Sequence, residues 1–289
     1  MRQLTSKPLA LALLFIACGS PPAPKAPEPA QEGVESSTQI EPQEFVPPPR
    51  DAAPESIVRT QFVPSVAAIR PGGVFQVAMH FDIHPSYRLG WLFGGDVGKP
   101  TAVRFSAPPG FEVGSVSFTG PSRFTLSGGL TSYGYKQQAT AFAEVRAPLE
   151  LSQGSVHRFN VEASWLACER ECVAESTEAY FELETDPNAA EGVFSPELQA
   201  ALASVPIPLG TLTNARFEWR TAATLSISAE GVKWLEFYPA SERLKAVVAA
   251  SGNALALEFQ SRANREDWVG VAKAVLGGRE VFVDLRPLK

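Results

Sequence analysis

The chain has 289 residues, with 45% hydrophobic and 19% charged positions, which excludes a fibre or a minimal disulfide scaffold and leaves room for one large or two modest domains. Its 25 prolines and 22 glycines exceed what a helical bundle tolerates and point to β-structure. A formal net charge of -6, and no concentrated basic stretch, argue against a nucleic-acid partner.

Residues 1–18 read as an address label: Arg2 and Lys7, an apolar run from Leu9 to Ala17, then Cys18. A run this short cannot span a bilayer, which needs about 20 residues. The ending Phe15-Ile-Ala-Cys18-Gly19 resembles a bacterial lipobox, which implies lipidation of Cys18 and attachment to the cell envelope by a lipid anchor only. The alternative is an ordinary secretory signal; both readings export the protein, to a bacterial periplasm if Cys18 is lipidated. Residues 19–55 hold ten prolines and seven acidic residues against Lys25 and Arg50, with few large apolar side chains. Such a segment cannot offset its ordering entropy by burial, so a disordered tether is expected, reaching on the order of 100 Å in polyproline form.

Order is expected from about Ile57. Strand patterns occur at Phe75–Ile83, Val103–Phe105, Phe111–Phe118, Ala139–Val145, His157–Trp165 and Glu178–Leu183, separated by turn residues such as Arg70-Pro-Gly-Gly73 and Pro108-Pro-Gly110. Short strands without intervening helical patterns predict an all-β protein whose first domain, residues 56–186, is an immunoglobulin-like β-sandwich. Residues 187–210 are expected to connect the domains and to hold one short helix, capped by Ser195, opened by Pro196 and halted before Pro206. A second, smaller β-domain is expected over 211–289, with strands near 215–219, 225–229, 234–237, 246–250, 254–259, 268–275 and 281–285 and a hairpin at Ser251-Gly-Asn253.

Chemistry concentrates at Trp165-Leu-Ala-Cys-Glu-Arg-Glu-Cys172. With Cys18 assigned to the anchor, Cys168 and Cys172 are the remaining thiols, and export permits a disulfide between them. On a straight strand positions i and i+4 lie about 13 Å apart, whereas a disulfide needs Cα atoms about 4.4 to 6.8 Å apart. Trp165-Leu166 should therefore end a strand, and the cysteines should flank a tight turn. Closing a five-residue loop contributes only about 2 kcal/mol, so the bridge is a weak staple and either a redox switch or a small permanent clip. Glu169, Glu171 and Glu175 should raise the thiol pKa, with Arg170 opposing them. His80 and His84, four apart on a strand pattern, offer a metal site with the cysteines, but each reads more simply as an ordinary histidine. No metal and no cofactor are expected.

The runs Ile69-Arg-Pro-Gly-Gly-Val-Phe75, Gly94-Gly-Asp-Val-Gly-Lys-Pro-Thr101, Pro109-Gly-Phe-Glu-Val-Gly114, Thr131-Ser-Tyr-Gly-Tyr135 and Trp165 to Cys172 resemble, in order and spacing, the N-terminal periplasmic domain of the thiol:disulfide interchange protein DsbD and its copper-sensitivity-suppressor relatives. Lys233-Trp-Leu-Glu-Phe-Tyr-Pro239 and Trp268-Val-Gly-Val271 are similar to the second β-domain of the longer relatives. The resemblance implies an immunoglobulin-like fold whose cysteine pair takes electrons from a membrane-embedded thiol reductant and passes them to periplasmic thiol proteins. Relatives place a proline soon after the second cysteine; Val173-Ala174 stands here. Full-length relatives continue into a helical electron conduit and a thioredoxin-like domain, so the reductant is expected in trans. By position, Cys172 forms the mixed disulfide and Cys168 resolves it. The family's protective aromatic loop corresponds to Thr119–Gly129, which assigns Phe124 as the shield, with hinges at Gly120-Pro121 and Gly128-Gly129, and Tyr87 as a second contact. The rival class is a non-catalytic binding or assembly lipoprotein with a structural disulfide.

Overall fold

The structure, a computed structural model, describes residues 57–240, 244–259 and 270–285. The expected signal, Cys18 and the tether, as well as Trp268, lie outside the described residues.

Eleven strands precede the helix: β1 (Val58–Pro64), β2 (Val74–Ile83), β3 (Arg88–Gly95), β4 (Ala102–Ser106), β5 (Glu112–Val113), β6 (Ser117–Phe118), β7 (Ser122–Thr125), β8 (Thr131–Tyr135), β9 (Gln138–Arg146), β10 (Val156–Cys168) and β11 (Cys172–Glu184). One sheet runs β1-β2-β9-β5, with β6 also on β9; the other runs β11-β10-β3-β8-β7, with β4 also on β10. Along β10 the side chains alternate in the two-residue period of a half-buried strand: Phe159, Val161, Ala163, Trp165 and Ala167 are buried, while Glu162 and Ser164 are exposed. Their inner row meets the other sheet, where Phe75 packs edge-on against Phe159 and Phe81 against Trp165, with ring centroids 5.5 and 5.3 Å apart. This is the all-β sandwich that the alternation predicts.

Three local expectations change. The pattern at 111–118 is not one strand, because its pairing with β9 slips by one residue between Val113, opposite Val145, and Ser117, opposite Phe142, which splits it into β5 and β6. The strand carrying Trp165 does not end there but runs on to Cys168, because a loop of only Glu169-Arg170-Glu171 makes the cysteines themselves the last rung of the ladder. Phe124 lies not in a loop but in β7, paired along β8.

Helix α1 (Pro196–Leu202) begins where expected, with the Ser195 hydroxyl accepting from the Leu198 N–H. It is docked rather than free-standing: Leu198, Ala201 and Leu202 pack on Phe142, Phe194 and Ala78, against the outer face of β2 and β9.

The remaining strands are β12 (Ile207–Pro208), β13 (Arg216–Trp219), β14 (Thr224–Ser228), β15 (Val232–Pro239), β16 (Leu244–Ser251), β17 (Ala254–Phe259), β18 (Gly270–Leu276) and β19 (Arg279–Asp284). They form two four-stranded sheets, β12-β19-β18-β15 and β13-β14-β17-β16, around a second core of Leu225, Ile227, Trp234, Phe237, Leu255, Leu257 and Val283. Ile207 and Leu209, expected in the connector, belong to this core, since β12 pairs with β19. Ser251 pairs with Ala254 across a two-residue loop in which Gly252 takes the positive φ of 59° that such a turn requires.

Candidate functional site

Cys168 and Cys172 form a disulfide with Cα atoms 4.1 Å apart, near the separation of about 4.5 Å in a narrow antiparallel pair. The hairpin explains how residues four apart in sequence meet: the backbone reverses within three residues, closed by the Glu169 N–H on the Glu171 carbonyl. Cys168 is half-buried and Cys172 exposed. The two sulfurs are therefore not equivalent to an incoming thiolate.

The hairpin is braced from below. Trp165, on β10 three residues before Cys168, is buried, and its indole Nε1–H donates to Glu175 on β11 at 2.9 Å. Glu175, one of the three carboxylates expected around the thiols, is thus held by the tryptophan. Glu169, Arg170 and Glu171 are exposed in the loop.

On the other side Cys168 pairs with Arg88 at the start of β3. The Arg88 guanidinium lies 5.8 Å from the centroid of the Phe124 ring, and the Lys136 ammonium lies 5.8 Å from the same ring. Phe124 is half-buried. The structure thus brings Phe124 to the cross-strand neighbour of Cys168, on the same face of the sheet as the bridge. Tyr87 immediately precedes Arg88 and packs edge-on against His84 at 5.8 Å. Of the two expected hinges, only one is open. A Cβ on Gly120 would lie 2.2 Å from the Phe282 ring, so Gly120 is wedged against Phe282 of β19, whereas Gly128 and Gly129 have φ of 78° and nothing within 4 Å of a Cβ.

The two histidines do not converge on the cysteines. His80 Nδ1 lies 2.9 Å from the Thr140 hydroxyl, and His84 caps the turn before Tyr87, where its ring nitrogen accepts from the Ser86 N–H. Among the described residues no cluster of three or more His, Cys, Asp or Glu side chains could hold a metal. Burial lowers the His80 pKa, against the raising influence of Asp82 and of Glu197 on α1. A lowered pKa means the unfolded chain binds more protons below its ordinary value near 6.5, so this site should destabilise the fold as pH falls through that range. The expected result is a melting temperature that drops between about pH 7 and pH 5.5, with a shallower slope in His80→Gln. An unchanged slope in the variant would place the effect elsewhere.

Residues 58–184 match the sequence profile of the N-terminal domain of the thiol:disulfide interchange protein DsbD. That segment is a DsbD N-terminal domain. It includes both cysteines and both sandwich sheets, and the DsbD-type domain ends where β11 ends. Among solved structures, the N-terminal periplasmic domain of ScsB from Proteus mirabilis is 16% identical, over 78% of this chain and 91% of that one, with a TM-score of 0.47. The Neisseria meningitidis DsbD N-terminal domain in its reduced form is also 16% identical, over 46% of this chain and 88% of that one, with a TM-score of 0.26. Comparison with curated proteins gave no match. The match over residues 58–184 places both cysteines in a segment similar to a thiol:disulfide interchange protein. No helix among the described residues is long and apolar enough to cross a membrane.

Sequence reasoning missed Arg88, Lys136 and Trp165 as parts of this site. The first two are isolated cations in sequence and become neighbours of Phe124 only through the pairing of β3, β8 and β7. Trp165 reads as plain core until its indole meets Glu175.

Proposed function

We propose that this protein performs thiol–disulfide exchange in the bacterial periplasm, with the Cys168–Cys172 bridge accepting electrons from a membrane-embedded thiol reductant and delivering them to exported thiol proteins. The observation that carries this reading is the placement of an exposed Cys172 and a half-buried Cys168 at the tip of a hairpin, inside the segment that matches the DsbD N-terminal family. Exchange proceeds when a thiolate attacks one sulfur of a disulfide and the other leaves as a thiolate. Oxidised protein is attacked at Cys172 by the reductant's thiolate, releasing Cys168 as thiolate; a second thiol of the reductant then displaces Cys172 and leaves both cysteines reduced. In the delivering half-reaction Cys172 attacks the client disulfide, and Cys168 resolves the mixed disulfide. Two electrons move in each half, and no cofactor is required. The proposed domain order is a lipobox signal ending at Cys18, a tether over 19–55, the redox sandwich, and the second β-domain. A lipid on Cys18 and a long tether would hold the sandwich near its membrane partner at raised effective concentration. Phe124, placed beside Arg88, is proposed to shield the pair from adventitious thiols, with Tyr87 flanking it.

Alkylation trapping of the two thiols in cells tests this reading. A switch is found in both redox states, and the reduced fraction rises under reductive challenge; a pair that stays fully oxidised under every condition would make the bridge a structural clip. Reduction should also leave the sandwich folded, since opening a five-residue loop costs about 2 kcal/mol, a small part of a domain's stability of about 5 to 15 kcal/mol. Circular dichroism before and after mild reduction reads this, and collapse of the β-signal would contradict it.

A further inference from the structure

The strand that carries Phe124 is gripped by the second β-domain. Arg123, its neighbour in β7, projects to the opposite face, as successive strand residues do, and there meets β15. Its Nε lies 2.7 Å from a Glu236 carboxylate oxygen, and its Nη2 donates to the Phe237 carbonyl at 3.1 Å. The guanidinium also lies 5.5 Å from the Tyr133 ring centroid, and Tyr133 packs edge-on against Tyr238. The Tyr238 hydroxyl donates to the second oxygen of Glu236 at 2.7 Å, so both carboxylate oxygens are engaged and the acceptor is held in place. The register of β15 against β18 shifts between Trp234 and Glu236, a bulge of the kind that re-aims a side chain. Arg123 and Glu236 are each about one-third exposed, at 37% and 31%, so their pairing is better protected from solvent screening than the surface pairs elsewhere on the sandwich.

The grip is one-sided. Gly120, before β7, is wedged against Phe282 of β19, and its N–H bonds to the Ser204 carbonyl. After β7 the chain passes through Gly128 and Gly129, where an added Cβ would meet nothing within 4 Å. Any lifting of Phe124 from Arg88 must therefore peel β7 away from its fixed end, against the contacts of Arg123.

We propose that the second β-domain sets how readily the Phe124 cap opens over the cysteine pair, and that Arg123 is the positioning residue through which it does so. The proposal rests on the shield reading of Phe124 and adds a task for the second domain: it acts as the anchor of the cap.

The test measures, in the whole purified protein, the rate at which dithiothreitol reduces the bridge and the rate at which iodoacetamide alkylates the reduced pair. Arg123→Ala should raise both about fivefold, the factor that accompanies loss of a modest stabilising contact. Phe124→Ala should raise them at least as much. The double variant Arg123→Ala/Phe124→Ala should react no faster than Phe124→Ala alone, because Arg123 acts through the ring. Exchange of the charges in Arg123→Glu/Glu236→Arg should recover part of the protection. Should Arg123→Ala fold poorly, Glu236→Gln replaces it. A fast Phe124→Ala with Arg123→Ala at the unmodified rate would overturn the anchor and leave the shield standing. Phe124→Ala at the unmodified rate would overturn the shield and the anchor with it. Further acceleration by Arg123→Ala in the Phe124→Ala background would show general loosening and overturn the anchor.

Discussion

Replacing Cys168 by serine should convert the protein into a covalent trap. Cys172 is exposed on the outer strand at the tip of the hairpin, whereas Cys168 is half-buried, its strand flanked by Arg88 of β3 on one side and Cys172 of β11 on the other. An incoming partner therefore reaches the Cys172 sulfur first, and the mixed disulfide that forms is cleared by the Cys168 thiolate. Without that thiolate the complex persists. Non-reducing gels of cells expressing Cys168→Ser should show high-mass adducts that vanish on reduction, while Cys172→Ser should show few or none and should lose exchange altogether. Adducts confined to Cys172→Ser would reverse the two roles. Absence of adducts in both variants would favour the rival class, a binding or assembly lipoprotein with a structural disulfide.

The largest expected loss of stability comes from Trp165→Ala. The indole is 6% exposed, packs edge-on against Phe81 across the sandwich, and donates to Glu175 on the neighbouring strand. Truncation removes the ring, leaves a cavity between the two sheets and strips Glu175 of its partner. Aromatic-to-alanine changes in a packed core cost about 3 to 5 kcal/mol, well above the roughly 2 kcal/mol expected for opening the disulfide. Denaturant titration should show a lower midpoint with an unchanged slope. Trp165→Phe refills most of the volume but not the hydrogen bond, and should lose only about 1 to 2 kcal/mol. A Trp165→Ala protein as stable as the original would mean that the hairpin is not braced through this residue.

The parts of the fold legible in the sequence are those dictated by local periodicity. His157–Trp165 alternates cleanly enough to mark a strand, and Ser195-Pro196-Glu197 marks the helix start without any tertiary help. The hairpin at the cysteines follows from the reach of a disulfide alone. β3 was not legible, because Gly90, Gly94 and Gly95 interrupt any alternation; those glycines are there for close backbone approach, a Cβ on Gly90 falling 2.1 Å from the Lys99 carbonyl oxygen. β7 was not legible either. Ser122-Arg-Phe-Thr125 has a single apolar side chain, and it is strand because β8 pairs with it and Arg123 reaches another domain. Non-local pairing of this kind leaves no local trace. The same holds for the site: the cysteines stand out in the sequence, but the cations around Phe124 and the anchor at Glu236 exist only once distant strands are side by side.

If the Cys168–Cys172 bridge is a working redox couple, its equilibrium reduction potential must lie where other proteins can exchange with it. The oxidised and reduced fractions would be measured by alkylation and mass shift after equilibration in buffers of graded thiol–disulfide ratio. Couples that exchange with other proteins have potentials of about -120 to -270 mV, and structural disulfides of exported proteins lie below about -300 mV. A value within the exchanging range is predicted for this exposed bridge across a five-residue loop. A potential well below about -300 mV would rule out exchange and leave the bridge a structural clip.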